Sequence, residues 1–308
     1  MTALRWDRLG LLDLGVPIGP PWTTSHAMLP TPDVRADGTV RLYFSSCDAT
    51  GRGRPYVVDL DPADPTRALA PPRGPLLELG APGCFDDNGV VATSVVHVPG
   101  GPIHLYYVGF ELCVGVRYRL FTGLAISTDD GATFLRHAEV PVLDRTSAER
   151  LFRCGPYVRY EGGRFRMWYV GGGGFTDVGG KQLPAYDIRY AESADGIHWP
   201  DRGELLVAAR EPHEHGLGRP YPFGDDGRLL LSVRDRGTGA YRLGCAVRNG
   251  AGRYERRDAD VGLTTSDGGF DDEAIMYLAV AETPAGTLGF YNGNGFGADG
   301  IGVVRLAA

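Results

Sequence analysis

The chain has 308 residues, a formal net charge of −7 and 43% hydrophobic residues. This length allows a sizeable core, either as one large all-β unit or as two domains. The negative charge and the scattered arginines argue against a nucleic-acid surface, which needs a clustered basic face. No apolar stretch is long enough to span a membrane. The 46 glycines and 22 prolines, without a long helical pattern, indicate many short strands joined by turns.

The N-terminal segment and the cysteines point to the compartment. Residues 1–8 lack the charged-then-apolar pattern of a signal peptide. The five cysteines are odd in number and form no Cys-x-x-Cys pair, which disfavours both a structural zinc site and a disulfide framework. We therefore expect a cytoplasmic protein with free thiols, no metal and no cofactor, and no nucleic-acid or membrane partner.

Strongly β-forming segments recur along the chain, and their starts are separated by 63, 62, 64 and 59 residues. Each follows a turn rich in Gly, Pro or Asp, and another extended segment precedes each turn. These recurring segments are Val40–Ser45, Ile103–Val108, Phe165–Val170, Leu229–Val233 and Leu288–Asn292. The extended segments before the turns are Ala27–Thr31, Val91–Val96, Pro156–Tyr160, Pro220–Phe223 and Tyr277–Val280.

A third β-forming segment often follows, such as Thr122–Ser127 or Ile188–Ser193. Five units of about 60 residues, each with three or four strands, predict an all-β, five-bladed β-propeller, in which four-stranded sheets surround a central channel. No linker or low-complexity segment divides the chain, so we predict a single domain over residues 1–308. Ser127–Phe134 and Ser193–Trp199 both place Ser, Asp and Gly before an aromatic, as do the structural propeller hairpins called Asp-boxes.

The innermost strands of a propeller converge on its axis, so residues that start them share one pocket. Gly83–Val90 contains two aspartates and leads into an apolar run, and a similar phrase returns 185 residues later as Gly268–Ile275. This distance corresponds to three blades. Read in order, the blade starts carry a series of polar groups: His26, Asp86, Asp87, Asn88, Arg153, Arg219, Asp271, Asp272 and Glu273. A purely structural core would place Val, Leu or Ile at such positions.

Four carboxylates are candidate catalytic groups, namely Asp86, Asp87, Asp271 and Glu273. Asp87 and Glu273 are the stronger candidates, because Asp86 and Asp271 both follow Gly-x-Phe and could simply form turns. Paired carboxylates suit glycosidic bond chemistry, in which one acid protonates the leaving oxygen while the other activates water or attacks the anomeric carbon. Their environments must then separate the two pKa values.

The candidate substrate-binding residues are His26, Asn88, Arg153, Arg219, Tyr277, Asn292 and Asn294. Five of them have a structural alternative: Arg153 and Arg219 could form ion pairs between blades, Asn292 and Asn294 a turn, and His26 an ordinary hydrogen bond. Arg153 and Arg219 could instead grip one anion together, since guanidinium groups bind oxyanions bidentately. Glu211–His215 resembles a metal-ligand cluster but lacks the spacing of one.

Several of these phrases resemble the glycoside-hydrolase-like five-bladed β-propeller superfamily, which includes arabinanases, β-xylosidases, invertases, levansucrases and mannoside phosphorylases. The resemblance covers nearly the whole chain and is closest to uncharacterised cytoplasmic members. It rests on the five-unit periodicity and on five short segments. These segments are Phe85–Gly89, Ser193–Trp199, Arg219-Pro220, Phe270–Glu273 and Tyr291–Gly295.

Hydrolases of that group use an Asp base or nucleophile, a second Asp that tunes the site, and a Glu acid. The resemblance implies that Asp87 and Glu273 fill two of these roles. The chain departs from the pattern where His26 occupies the first blade start, with Asp48 only after the next strand, and where Arg153 stands at the third blade start instead of Glu.

The sequence thus favours a carbohydrate-active enzyme that cleaves or transfers a glycosidic bond of a small sugar or glycoside. Two alternatives remain open. One is an inverting phosphorylase or another anion-binding enzyme that uses the Arg and His groups. The other is a non-catalytic sugar-binding propeller, or a biosynthetic enzyme whose pocket has been redirected to another substrate.

Overall fold

The computed structural model describes residues 2–19, 23–178 and 180–307. In this part of the chain, the secondary structure consists of nineteen strands and two short helical turns. The first strand, β1, is Trp6–Leu11. Blade 1 follows and contains β2 (Ser25–Val34), β3 (Val40–Cys47) and β4 (Gly53–Asp59). Blade 2 contains β5 (Val90–His97), β6 (Ile103–Leu112), β7 (Tyr118–Ser127) and β8 (Leu135–Arg136).

The other blades repeat this strand order. Blade 3 contains β9 (Phe152–Glu161), β10 (Arg164–Val178), β11 (Lys181–Ser193) and β12 (Glu204–Val207). Blade 4 contains β13 (Glu214–Phe223), β14 (Arg228–Asp235), β15 (Tyr241–Arg248) and β16 (Tyr254–Arg256), and a 3₁₀ turn follows at Asp258–Val261. Blade 5 contains β17 (Met276–Thr283), β18 (Gly286–Asn292) and β19 (Ile301–Leu306), with a short helical turn, α1, at Asn294–Gly297.

The blades form a ring that the N-terminal strand closes. The innermost strands β2, β5, β9, β13 and β17 contact one another in cyclic order. Strand β1 pairs antiparallel with β19 and so becomes the outermost strand of blade 5, whose order is β17-β18-β19-β1. The first strand therefore joins the last blade. The prediction of an all-β, five-bladed β-propeller is confirmed, and all ten predicted first and second strands lie within observed strands.

The second strand of each blade provides much of the core. Along β3 and β6, burial is nearly continuous rather than alternating, because neighbouring blades cover both faces of each sheet. Large aromatic rings fill these interfaces, and Tyr43, Tyr106, Tyr107, Tyr169 and Tyr291 are all buried. A buried tyrosine usually has a hydrogen-bond partner for its hydroxyl, as four of these five do. Acids near three blade starts accept hydrogen bonds from such tyrosine hydroxyls, as described below.

In the Asp-box Ser193–Trp199, the Ser and Asp side chains hold the predicted turn through hydrogen bonds. The Ser193 hydroxyl accepts a hydrogen bond from the Gly196 amide at 2.9 Å, and Asp195 Oδ1 accepts bonds from two following amides. The Trp199 ring then packs against Tyr106 of the preceding blade, with ring centroids 6.4 Å apart. The hairpin thus anchors one blade to its neighbour. No helix among the described residues is long and apolar enough to cross a membrane.

The innermost strands are not regular. Their pairing with the second strands shifts register near the middle in every blade, which marks a β-bulge. In four of them a residue at the bulge has a left-handed backbone: Leu29 (φ 59°), Gly155 (φ 59°), Arg219 (φ 49°) and Tyr277 (φ 62°). Three of the four are not glycine, although this conformation is unfavourable for other L-residues.

Candidate functional site

The acids at three blade starts are used by the scaffold. Asp86 is fully buried and accepts hydrogen bonds from the Tyr107 hydroxyl at 3.0 Å and from Arg136 Nε at 2.9 Å. Asp271 in blade 5 is bound in the same way by the Tyr291 hydroxyl at 2.8 Å, and Arg8 adds an ion pair at 3.3 Å. Each carboxylate therefore satisfies a buried tyrosine and an arginine, and neither is free to meet a substrate.

Blade 3 has a third member of this set, which the sequence analysis missed. Glu149 is buried and accepts a bond from the Tyr169 hydroxyl at 2.7 Å and one from Arg153 Nε at 2.7 Å. Burial and the neighbouring Glu149 raise the pKa of Tyr169 to about 12. A Glu does stand near the third blade start, but it lies four residues before Arg153, among scaffold contacts.

A signal for these three acids was present in the sequence. The acid precedes its tyrosine by 21 residues in blade 2 and by 20 residues in blades 3 and 5. This constant separation links a residue before the first strand to one near the end of the second. It identifies Asp86, Glu149 and Asp271 as one structural position of the repeat.

Arg153 and Arg219 do not converge on a common ligand position. The Arg153 side chain binds Glu149, the Asp144 carbonyl at 2.7 Å and the Pro200 carbonyl at 2.6 Å, all within or beside blade 3. Arg219 binds the carbonyls of Thr93 at 2.6 Å and Pro30 at 2.8 Å. These contacts do not support the expectation that the two groups grip one anion together, because most of their donors serve different partners.

Arg219 also lies deeper than the sequence analysis placed it. Strand β13 begins at Glu214, so Arg219 is at the bulge in mid-strand rather than at the blade start. Its guanidinium reaches across the axis to Pro30 and Thr31 of blade 1 and to Thr93 of blade 2. Burial without a carboxylate partner lowers the pKa of Arg219 to about 10. The side chain ties three innermost strands together.

Asn292 is buried between blades 5 and 1. Its amide nitrogen donates to the Ala27 carbonyl at 2.8 Å and to the Gly300 carbonyl at 2.9 Å, and its oxygen accepts from the Leu29 amide at 2.7 Å. These contacts use both of its donors and an acceptor position. Asn292 thus holds the bulge of the first blade, and this geometry favours the structural alternative.

Glu273 lies at the rim of a cavity of about 190 Å³ between blades 4 and 5. Its side chain is exposed, and no described residue forms an ion pair with it. Asn294 orients the backbone here, because its side-chain oxygen accepts bonds from the amides of Glu273 and Ala274, both at 2.9 Å. Two of the site residues predicted from the sequence, Glu273 and Asn294, therefore line the same cavity.

Asp87 differs from its buried neighbour Asp86. It is partly exposed, and its carboxylate accepts a bond from the Gly83 amide at 2.8 Å without an ion pair to any described residue. Asn88 follows and is also partly exposed; its backbone amide donates to the Phe110 carbonyl at 3.2 Å. Both residues lie in the segment that leads into β5.

His26 lies in blade 1, between blades 5 and 2 in the ring. Its Nδ1 atom is 2.7 Å from the Ser25 hydroxyl, and its ring is partly exposed. Tyr277 lies at the bulge of β17, with its ring centroid 5.5 Å from that of Tyr241. The described residues contain no group of three or more His, Cys, Asp or Glu side chains placed to hold a metal ion.

Comparison with known proteins shows which proteins this chain is similar to. No family model matches it. It is 32% identical over 304 residues to Uncharacterized protein Rv1502 of Mycobacterium tuberculosis (strain ATCC 25618 / H37Rv), and the alignment covers 98% of this chain and 99% of that protein. A solved structure named Glycoside hydrolase matches with a TM-score of 0.70 at 16% identity, covering 100% of this chain and 92% of the other.

A second solved structure comes from work on the GH130 family of mannoside phosphorylases, which contains glycoside hydrolases that target beta-1,2 mannosidic linkages in Candida mannan. It matches with a TM-score of 0.63 at 13% identity, covering 99% of this chain and 94% of the other. At such identities the likeness shows the fold. The chain therefore belongs to the same family as the mycobacterial protein Rv1502, and its fold is that of the glycoside-hydrolase-like five-bladed β-propellers.

Proposed function

We propose that this protein is a carbohydrate-active enzyme that cleaves or transfers a glycosidic bond, with Asp87 and Glu273 as its acid–base pair. One observation carries the proposal. Of the four predicted catalytic carboxylates, Asp86 and Asp271 are committed to scaffold contacts, whereas Asp87 and Glu273 are accessible and form no ion pair with a described residue. Accessible carboxylates at strand starts suit this chemistry.

Their places in the ring support a shared site. Asp87 leads into blade 2 and Glu273 leads into blade 5, and both of these blades are neighbours of blade 1. His26, at the start of blade 1, lies between them in the cyclic order. An imidazole in this position can hydrogen-bond a sugar hydroxyl, which fits the predicted substrate-binding role of His26.

We assign different roles to the two acids. The carboxylate of Asp87 is oriented by the Gly83 amide, and an oriented carboxylate suits the base or nucleophile. Glu273 lies at a cavity rim with its backbone held by Asn294, which leaves its side chain able to approach a leaving oxygen as the acid. Asn88 and Tyr277, both partly exposed, are proposed substrate contacts beside them.

The experiment compares Asp87→Asn and Glu273→Gln with the native chain on a panel of aryl glycosides and oligosaccharides. Turnover should fall by about 10²–10⁴-fold in each variant, as is typical when a positioned acid or base is removed. Asp225→Asn, in the exposed turn between β13 and β14 at the opposite end, is the matched control and should keep full activity. Native turnover in both site variants would refute the assignment.

We also propose a cytoplasmic location. The proposal is supported by the five cysteines, all of which are free thiols. A disulfide between any two of them in the protein isolated from its host would contradict it.

A further inference from the structure

Buried and partly buried arginines in this protein usually pair with carboxylates. Arg153 pairs with Glu149 at 2.7 Å, Arg136 with Asp86 at 2.9 Å, and Arg256 with Glu214 at 3.1 Å. Two arginines break this rule, Arg219 and Arg234, because no described carboxylate forms an ion pair with either. Arg219 donates to two backbone carbonyls and to the Thr31 hydroxyl, and these bonds tie strands of three blades together. Arg234 has no such explanation.

Arg234 lies near the end of β14, at the same end of the ring as the blade starts, where it is a register neighbour of Gly216 in β13. Its Nε donates to the Gly239 carbonyl at 3.2 Å. Its guanidinium carbon is 5.3 Å from the ring centroid of Tyr241 and 6.0 Å from that of Phe296. Every described partner of this cation is therefore neutral.

The surrounding groups are tyrosines rather than aliphatic residues. The hydroxyls of Tyr186 and Tyr241 are 2.6 Å apart, and the Arg234 guanidinium lies over the ring of Tyr241. Burial raises the pKa values of Tyr186 and Tyr241, so these phenols stay neutral and keep their protons. One of these two hydroxyls donates to the other, so one phenolic proton and the guanidinium N–H groups remain as hydrogen-bond donors.

The backbone is shaped to admit this cluster. Gly216 lies under the ring of Tyr186, and a Cβ at that position would be 2.2 Å from Tyr186 Cζ. The cluster also adjoins the proposed site, because Tyr241 and Phe296 line the same cavity as Glu273. A cation with only neutral partners thus lies beside the cavity that Glu273 lines.

We propose that Arg234, together with the hydroxyls of Tyr186 and Tyr241, forms a subsite for an oxyanion. The ligand is a carboxylate or phosphate group, either carried by the sugar or bound as a free ion beside it. This inference rests on the proposed function, whose substrate class it narrows to anionic sugars or to reactions with a free anion. The oxyanion supplies the negative partner that other buried arginines obtain from the protein, and the guanidinium binds it bidentately.

The test measures direct binding by isothermal titration calorimetry, with sodium glucuronate, inorganic phosphate and glucose titrated into the full chain. At least one of the two anions should bind saturably at low ionic strength and more weakly as salt is added. Arg234→Gln should weaken this binding at least about 10-fold, since it removes a charge-assisted bidentate contact. Tyr241→Phe keeps the ring that Arg234 packs against, and it should weaken binding by a smaller factor.

The matched control is Arg248→Gln. Arg248 ends the strand that Tyr241 begins, is exposed, and forms no ion pair with a described residue, so the variant makes the same charge change at the opposite end. Anion binding should be unchanged in this control. Equal loss of binding in both arginine variants would mean a nonspecific charge effect and would overturn the proposal, as would the absence of saturable binding of either anion.

The two anions distinguish the sources of the oxyanion. Binding of glucuronate without phosphate identifies a substrate carboxylate, and binding of phosphate without glucuronate identifies a phosphate group. Anion binding that depends on Arg234 in a protein that turns over no glycoside would uphold the subsite and refute the proposed reaction. Turnover of neutral glycosides that Arg234→Gln leaves unchanged, without anion binding, would refute the subsite alone.

Discussion

Two adjacent aspartates illustrate how burial separates scaffold from site at the scale of single residues. Asp86 is fully buried and binds Tyr107 and Arg136 of its own blade. Asp87 remains partly exposed and binds only the Gly83 amide. The two residues have the same chemistry and nearly the same sequence context. Their surroundings alone decide that one stabilises the fold while the other is available for a substrate.

Substitution of each aspartate by Ala should separate these roles. Asp86→Ala leaves the buried Tyr107 hydroxyl without its acceptor, so we expect the free energy of unfolding to fall by about 1–3 kcal/mol. Asp87→Ala removes only a partly exposed contact and should change the free energy of unfolding by less than about 1 kcal/mol. Urea unfolding followed by circular dichroism measures both values. A larger loss for Asp87 than for Asp86 would reverse the assignment.

At the scale of elements, the bulges of the innermost strands set the course of the backbone near the axis. A bulge in each of them turns the backbone near the axis, and four of the five use a left-handed residue to do so. Side chains from neighbouring blades support three of the bulged strands: Asn292 binds the Leu29 amide, Ser232 the Tyr277 amide and Ser45 the Ala92 amide. The bulges are therefore held in place by contacts between blades.

The substitution Gly155→Ala tests whether the backbone conformation of the bulge is fixed. Its φ is 59°, and a Cβ there would meet Val170 at an ordinary contact distance of 3.6 Å, so the strain of Gly155→Ala is almost purely conformational. We expect the variant to lose about 1–2 kcal/mol of unfolding free energy. Gly174→Ala, where a Cβ would meet nothing within 4 Å and φ is not positive, is the control. Equal stability of the two variants would show that the bulge relaxes.

At the scale of the whole molecule, the ring depends on a strand from the other end of the chain. Strand β1 completes blade 5, and it also reaches blade 4, because Trp6 Nε1 donates to the Val261 carbonyl at 2.8 Å. Arg8 on the same strand pairs with Asp271. The N-terminal residues thus hold together the two blades that flank the cavity beside Glu273.

Removal of residues 2–11 should therefore destabilise the protein as a whole. It would expose the edge of β19 and leave the buried Asp271 without Arg8, so we expect a lower melting temperature and aggregation through the open strand edge. A synthetic peptide of residues 2–11, added in excess, should restore part of the melting temperature by mass action. A truncated chain that melts as the native one does would contradict closure by β1. If the chain is a single domain, as we propose, native unfolding should be one cooperative transition.

The sequence by itself determined the fold. The recurrence of strand, turn and strand at nearly constant spacing could be read from apolar runs and turn residues, because both depend on local patterns along the chain. The same periodicity located the segments that begin the blades, including those that carry Asp87 and Glu273. It also contained the 20- to 21-residue separation between a buried acid and its tyrosine, although that signal becomes legible only once the pairs are known.

Only the tertiary structure decided what each polar residue at the axis contacts. The direction of a side chain depends on strand register and bulges, and a shift of one residue moves it to the other face of the sheet. This is why Arg153 points to Glu149, why Arg219 lies at mid-strand, and why Asn292 is buried between blades. Arg234 was overlooked for the same reason, since its neighbour Phe296 comes from a distant part of the chain and meets it only in the closed ring.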